Sequence, residues 1–258
     1  MTQISINLSM LFTELPFMQR FAAARNAGFS AVEIQFPYAH PARDIRAQLE
    51  EHELDLVLFN LPAGDWDGGD RGIGANWARR DEFRAGLDLA MTYVDELQPH
   101  LVNLLAGASE DIDENDLALL QNIRIAAEEL GEEGVTLVLE PVNTADVPDF
   151  ALPTAFAALD VLSEIDNPNV KLQLDIYHAL RMGEDPLEIM RDHTELIGHI
   201  QIADVPGRHQ PGTGDVDWSL FFRTLESLDY TGAVGLEYVP EGPSAKSFET
   251  LKKLGLLH

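Results

Sequence analysis

Four short apolar runs in the second half of the chain end on residues able to hold a metal. They are Val135-Thr136-Leu137-Val138-Leu139 before Glu140, Val170-Lys171-Leu172-Gln173-Leu174 before Asp175, Ile197-Gly198-His199-Ile200 before Gln201, and Ala233-Val234-Gly235-Leu236 before Glu237. A greasy strand that ends on a carboxylate or an amide is costly to bury unless that group binds something. For one such ending, a helix cap or an ion pair is explanation enough. Four in consecutive strand-like segments point to one shared site. Oxygen ligands of this kind suit a hard divalent cation such as Mg²⁺ or Mn²⁺.

Strand-like runs begin near Gln3, Ala31, Leu54, Leu101, Val135, Val170, Ile197 and Ala233. Between them lie segments with helical spacing, such as Phe17 to Arg25 closed by Gly28, and Asp113 to Gly131 closed by Gly134. Alternating strands and helices imply parallel pairing with right-handed crossovers. Eight units in 258 residues give about 32 residues each, the size of a βα repeat. The expected fold is a single (β/α)8 TIM barrel over residues 1–258. A doubly wound open sheet would carry a Gly-rich phosphate turn after its first strand, where Ser9-Met10-Leu11-Phe12-Thr13 stands instead.

Side chains on a strand alternate sides. Counting back by two pairs Val138 with Glu140, Gln173 with Asp175, His199 with Gln201 and Gly235 with Glu237 on the inward side. Leu137/Leu139, Leu172/Leu174, Ile200/Ile202 and Val234/Leu236 are left to face the helices. The same count turns Asn7, Glu33 and Asn60 inward, so the carboxyl end of the barrel is expected to be a ring of Glu, Asp, Gln and Asn. One connection, Leu61 to Asn76 (LPAGDWDGGDRGIGAN), is too long for a plain turn. It follows the third strand on the active-site side of a barrel and reads as a lid-like loop.

Acidic residues outnumber basic ones, 44 Asp+Glu against 17 Lys+Arg, for a net charge of −27. This argues against nucleic acid and anionic membranes as partners. A surface so acidic and poor in lysine is what work at high salt would call for; an ordinary acidic mesophilic protein is the plain alternative. With no cysteine, disulfides and thiolate metal sites are excluded. The N-terminal residues Met1 to Asn7 show no basic leader, and no run approaches the roughly 20 apolar residues of a membrane helix. A cytoplasmic enzyme is expected.

Several stretches resemble the hydroxypyruvate isomerase family of xylose-isomerase-like TIM barrels. They are Asn7 to Glu14, Phe21 to Phe29, Glu33 to Tyr38, Phe59 to Asp65, Asp175-Ile176-Tyr177-His178 and, most specifically, His199 to His209 followed by Pro211-Gly212-Thr213-Gly214-Asp215. The resemblance covers essentially the whole chain. It implies Glu140, Asp175, Gln201 and Glu237 as metal ligands, with Glu140 and Glu237 also the proton donor/acceptor pair. It implies interconversion of hydroxypyruvate and tartronate semialdehyde, a place in glyoxylate or another sugar-acid metabolism, and weakly a dimer or tetramer.

The residues themselves fit that chemistry. A cation held by the two substrate oxygens would stabilise an enediolate, and glutamates on strands five and eight could approach it from opposite faces. A small oxo-acid substrate needs a cation for its carboxylate: Arg208 is the first choice and Arg71, in the lid-like loop, the second. His178, Asn7 and Asn60 are further expected substrate contacts at the mouth. His199 should lie one layer deeper, and His209 is open between the two roles. His40, His52, His100, His193 and His258 read as surface residues, and Trp66 and Trp77 as packing. A 2-oxo-tetronate isomerase or a ketose 3-epimerase of the same barrel would reuse the paired glutamates. Phosphodiester cleavage would need a histidine-rich multi-zinc site and basic loops. A non-catalytic sugar-acid binder would not need both glutamates.

Overall fold

The strands are β1 (Gln3–Asn7), β2 (Ala31–Ile34), β3 (Asp55–Asn60), β4 (Leu101–Leu104), β5 (Thr136–Leu139), β6 (Val170–Asp175), β7 (Ile197–Ile202) and β8 (Ala233–Leu236). They come from a computed structural model that describes residues 2–108 and 112–257. All neighbours pair in parallel in chain order, and β8 pairs back on β1, closing a barrel. The helices are α1 (Phe17–Asn26), α2 (Ala42–Glu51), α3 (Arg80–Leu97), α4 (Ile112–Glu132), α5 (Ala155–Ile165), α6 (Ile176–Arg181), α7 (Pro186–His193), α8 (Trp218–Ser227) and α9 (Glu249–Lys253). This is a (β/α)8 TIM barrel.

Strand parity is set by packing. Leu137, Leu139, Leu172, Leu174, Ile200, Ile202, Val234 and Leu236 belong to the large core between barrel and helices. Val138 joins a separate small cluster with Ala31, Leu58, Leu101 and Ala233. A one-residue slip would exchange a strand's leucines for its carboxylate. Each buried leucine is worth about 1.5–3 kcal/mol, so the register is strongly held.

The helices answer with their own stripes. On α3 the buried residues Phe83, Leu87, Ala90, Val94 and Leu97 recur at helical spacing. Past the end of α1, Gly28 adopts φ +100°, and past α4, Gly134 adopts φ +74°, turns that a side chain would strain. Among the described residues, no helix is long and apolar enough to cross a membrane. His100 is exposed, while His40, His52 and His193 are half-buried, His40 stacking on the Phe17 ring. His258 lies outside the described residues.

The loop at 61–76 is anchored at its far end. Gly72 bridges Ala106, Gly74 N–H and Ala75 N–H donate to Leu105 and Ala106 carbonyls, and the buried Asn122 amide donates to Gly74 O. A Cβ on Gly72 would sit 2.4 Å from Leu105 O, so only glycine permits this approach. The segment 65–71 is left over the barrel mouth.

Candidate active site

Three acids emerge at the carboxyl end of the barrel, all buried: Glu140 just past β5, Asp175 at the end of β6, and Glu237 just past β8. α6 follows β6 without a loop, so Asp175 also caps that helix. Its Oδ1 accepts the Tyr177 and His178 amides at 2.7 and 3.4 Å, leaving Oδ2 to the site. Glu140 Oε2 accepts from Asn103 Nδ2 at 2.8 Å. Glu237 Oε1 accepts from Asn7 Nδ2 and Gln35 Nε2, both at 3.1 Å.

One cation serves all three. Arg208 Nη2 lies 2.8 Å from Glu237 Oε2 and 3.4 Å from Asp175 Oδ2. Burial pushes the Glu140 carboxyl well above its ordinary range, and the charges of Glu237 and Asp175 push it further. Burial also raises Asp175 and lifts Glu237 to about 7, with Arg208 pulling both the other way. Burial opposes the charge on Arg208 itself, but the surrounding acids outweigh it and keep the guanidinium charged. Buried charge without full compensation costs several kcal/mol per ion. One ligand atom each from Glu140, Asp175 and His178 lie within 4.8 Å of one another. The carboxylates of Glu140, Asp175 and Glu237, an oxygen-rich set with an excess of negative charge, fit a divalent cation.

His178 is buried, which lowers its pKa to about 3 and keeps the ring neutral. Its Nδ1 faces the Asn143 backbone N–H at 3.3 Å and the Asn143 side-chain amide at 2.6 Å. Because Nδ1 accepts from that backbone N–H, the ring proton resides on Nε2. Nε2 points between Asp175 Oδ2 at 3.7 Å and Glu140 Oε1 at 4.0 Å. In this tautomer His178 is a donor into the site.

Arg208 reaches the mouth from the loop after β7, in a left-handed conformation at φ +55°. Buried Asp204 organises that loop: its carboxylate accepts from the backbone N–H groups of Val205, Gly212, Thr213 and Val216 and from Trp218 Nε1. Glu140, Glu237, His178, Arg208, Asn60 and Arg71 all line one cavity of about 210 Å³, with Leu105, Val142, Val147 and Phe150 as its apolar wall. The Arg71 guanidinium stacks 4.3 Å over the Trp66 ring and donates to the Trp66 and Asp70 carbonyls. Trp66 lines the cavity, whereas Trp77 packs under Arg80.

Level with Asp175 in the β6–β7 ladder, Gln201 is engaged on both ends of its amide. Its Nε2 donates to Glu33 Oε2 at 2.9 Å, and its Oε1 accepts from Gln173 Nε2 at 2.6 Å. His199 Nε2 lies 2.9 Å from Glu33 Oε1, so this histidine belongs to the deeper layer. Of the two expected asparagines, Asn60 lines the cavity and accepts from Asn103, while Asn7 holds Glu237 from behind. His209 sits apart, with Nδ1 on the Val239 carbonyl. Sequence reasoning missed Asn103, Gln35, Asn143 and Asp204. The parity rule could have found Asn103, which pairs with Asn60 and Val138 in the ladder; Asn143 carries no comparable signal.

The chain matches the xylose isomerase-like TIM barrel family over residues 21–254. It is 39% identical over 244 residues to hydroxypyruvate isomerase of Escherichia coli K12, covering 93% of this chain and 95% of that one. It is 36% identical over 256 residues to 2-oxo-tetronate isomerase of Cupriavidus necator, covering 98% of each. A crystal structure described as AP endonuclease, family 2, from Brucella melitensis superposes with a TM-score of 0.95 at 36% identity, covering 98% of this chain and 99% of that one.

Proposed function

This chain belongs to the xylose isomerase-like TIM barrel family and is an isomerase, and we propose that it interconverts hydroxypyruvate and 2-hydroxy-3-oxopropanoate (tartronate semialdehyde). The observation that carries the reading is one guanidinium, Arg208, sharing a cavity of about 210 Å³ with Glu140 and Glu237. A neutral ketose needs no such cation; a small oxo acid does.

Arg208 takes the substrate carboxylate in a charge-assisted contact. The carbinol carbon then presents its proton to one of the two glutamates. That proton returns at the neighbouring, former carbonyl carbon, either from the same carboxylate or from its partner, while the hydroxyl proton passes to the former carbonyl oxygen. Raised carboxyl pKa values keep the exchange between acid and substrate closer to balanced than an ordinary glutamate would. His178 donates from Nε2 to a substrate oxygen, and the apolar wall of Leu105, Val142 and Phe150 keeps water off the intermediate. Mg²⁺ or Mn²⁺, held by Glu140, Asp175, Gln201 and Glu237, would polarise the carbonyl and offset the enediolate charge by several kcal/mol.

The Cupriavidus relative favours a second reading, a four-carbon 2-oxo-tetronate in the same cavity. Phosphodiester cleavage is disfavoured by a net charge of −27 and by a single histidine among the clustered acids. The deciding experiment measures isomerisation of hydroxypyruvate, 2-oxo-tetronate and free ketoses across a Mg²⁺ and Mn²⁺ titration. Turnover should be highest on hydroxypyruvate and lost on chelation. Turnover of the four-carbon acid or a ketose, with none of hydroxypyruvate, would overturn the assignment.

A further inference from the structure

A side-chain amide offers a hard cation either an oxygen or an NH₂ in nearly the same shape, and only the oxygen ligates. A glutamine ligand therefore needs a neighbour that chooses for it. For Gln201 that neighbour is Glu33 on β2, which barrel closure brings near β7 through β8 and β1. The Glu33 carboxylate is wholly buried and collects three donors: Ser5 Oγ, His199 Nε2 at 2.9 Å, and Gln201 Nε2 at 2.9 Å. Turning the Gln201 amide over would set oxygen against oxygen at that last contact. Gln173, on the other side, does not decide the matter. It is an amide too, its Oε1 has no hydrogen-bond partner, and it could offer either end. The choice falls to Glu33.

The barrel is cut to admit this carboxylate. Gly235 stands beside Gln201 in the β7–β8 ladder and beside Ser5 in the β1–β8 ladder. A Cβ there would lie 2.1 Å from Glu33 Oε1 and 2.7 Å from Oε2. We propose that Glu33 is a positioning residue of the metal centre: it holds the Gln201 nitrogen, so that the Gln201 oxygen faces away from it and, with one lone pair on Gln173 Nε2, keeps the other for the cation, in a space that Gly235 provides. This rests on the reading of Gln201 as a ligand, and the test separates the two.

Mn²⁺ binding is titrated calorimetrically on the full chain, with the visible spectrum of the Co²⁺ form as a second readout. Glu33→Gln keeps the shape but can present an N–H to Gln201, which then turns its own NH₂ toward the cation. Outer-shell partners of metal ligands typically change affinity by roughly 10–100-fold, and a loss in that range with a shifted Co²⁺ spectrum is expected. Gln201→Ala should weaken Mn²⁺ as well. Ser5→Ala, which removes one donor from Glu33 with little change in packing, should give a smaller loss and serves if Glu33→Gln does not fold. A merely structural Glu33 would lower the melting temperature and leave Mn²⁺ affinity and the Co²⁺ spectrum as in wild type. That result, with Gln201→Ala impaired, overturns the positioning role and leaves the ligand reading standing. Unimpaired Gln201→Ala removes both. If only Ser5→Ala is measurable, wild-type Mn²⁺ affinity in it overturns the proposal.

Discussion

Glu33 and Glu140 are both buried inside the barrel, yet their surroundings drive their protons in opposite directions. Burial works against the charge on each. At Glu33 it is outweighed by His199, Ser5 and Gln201, and the pKa falls below the ordinary value. At Glu140 burial is reinforced by Glu237 and Asp175, and Arg208 and Asn103 do not make up the difference. Depth alone therefore says little about a buried acid; the donor count around it decides. In the deeper layer Glu33 has donors enough to stay charged and holds its neighbours in place. The mouth is left with excess negative charge, a condition that a cation relieves and that proton transfer can use.

The largest expected effect is on catalysis at the mouth. Glu237→Gln should lower kcat by about 10²–10⁴-fold, abolish solvent-deuterium incorporation into substrate, and leave the melting temperature near that of wild type. Activity retained with deuterium exchange would remove the paired-acid mechanism; a collapsed fold would make the mouth a scaffold after all. In the deeper layer, removing the whole carboxylate should cost stability in addition to metal affinity. Glu33→Ala strands His199 and Gln201 and should cost about 3–5 kcal/mol, or roughly 6–20 °C in Tm for a chain of this size.

The pH dependence of that second loss follows from its sign. The folded pKa of Glu33 lies below the unfolded value, so its stabilisation is complete above about pH 4.5 and is lost as pH falls through the folded pKa. The Tm gap between wild type and Glu33→Ala should therefore narrow on acidification from pH 7. A gap that widens instead would contradict an ionised Glu33.

Smaller effects separate the two arginines. Arg208→Ala should raise KM for an oxo acid by about 10–100-fold, the worth of one charge-assisted contact, with little change toward a neutral ketose. Arg71 already directs Nη1 to the Trp66 and Asp70 carbonyls. Arg71→Ala should shift KM by no more than about fivefold. A reversed order in steady-state kinetics would move the carboxylate contact from the β7 loop to the segment over the mouth.

Much of this contrast could be read from the chain. Alternating residues such as Gln173/Asp175 against Leu172/Leu174 announced which side of β6 is wet, and Glu33 was counted inward by the same rule. Asking what an acid substrate would need points to Arg208, which lines the cavity. The donors were harder. Asn143 meets His178 across 35 residues, and Gln201 meets Glu33 across 168; no local pattern encodes such pairs. The loop at 61–76 was readable as long and glycine-rich, but its stitching to Leu105 and Ala106 was not.

Strand order, strand parity and the ring of acids around one end were thus settled by the linear pattern of apolar and polar residues, since a slipped strand would trade leucine burial for carboxylate burial. Which acid is compensated and which is left short of donors depended on barrel closure. Closure brings β1, β2, β7 and β8 side by side, and hydrogen bonds act only over a few ångströms between residues that the chain keeps far apart.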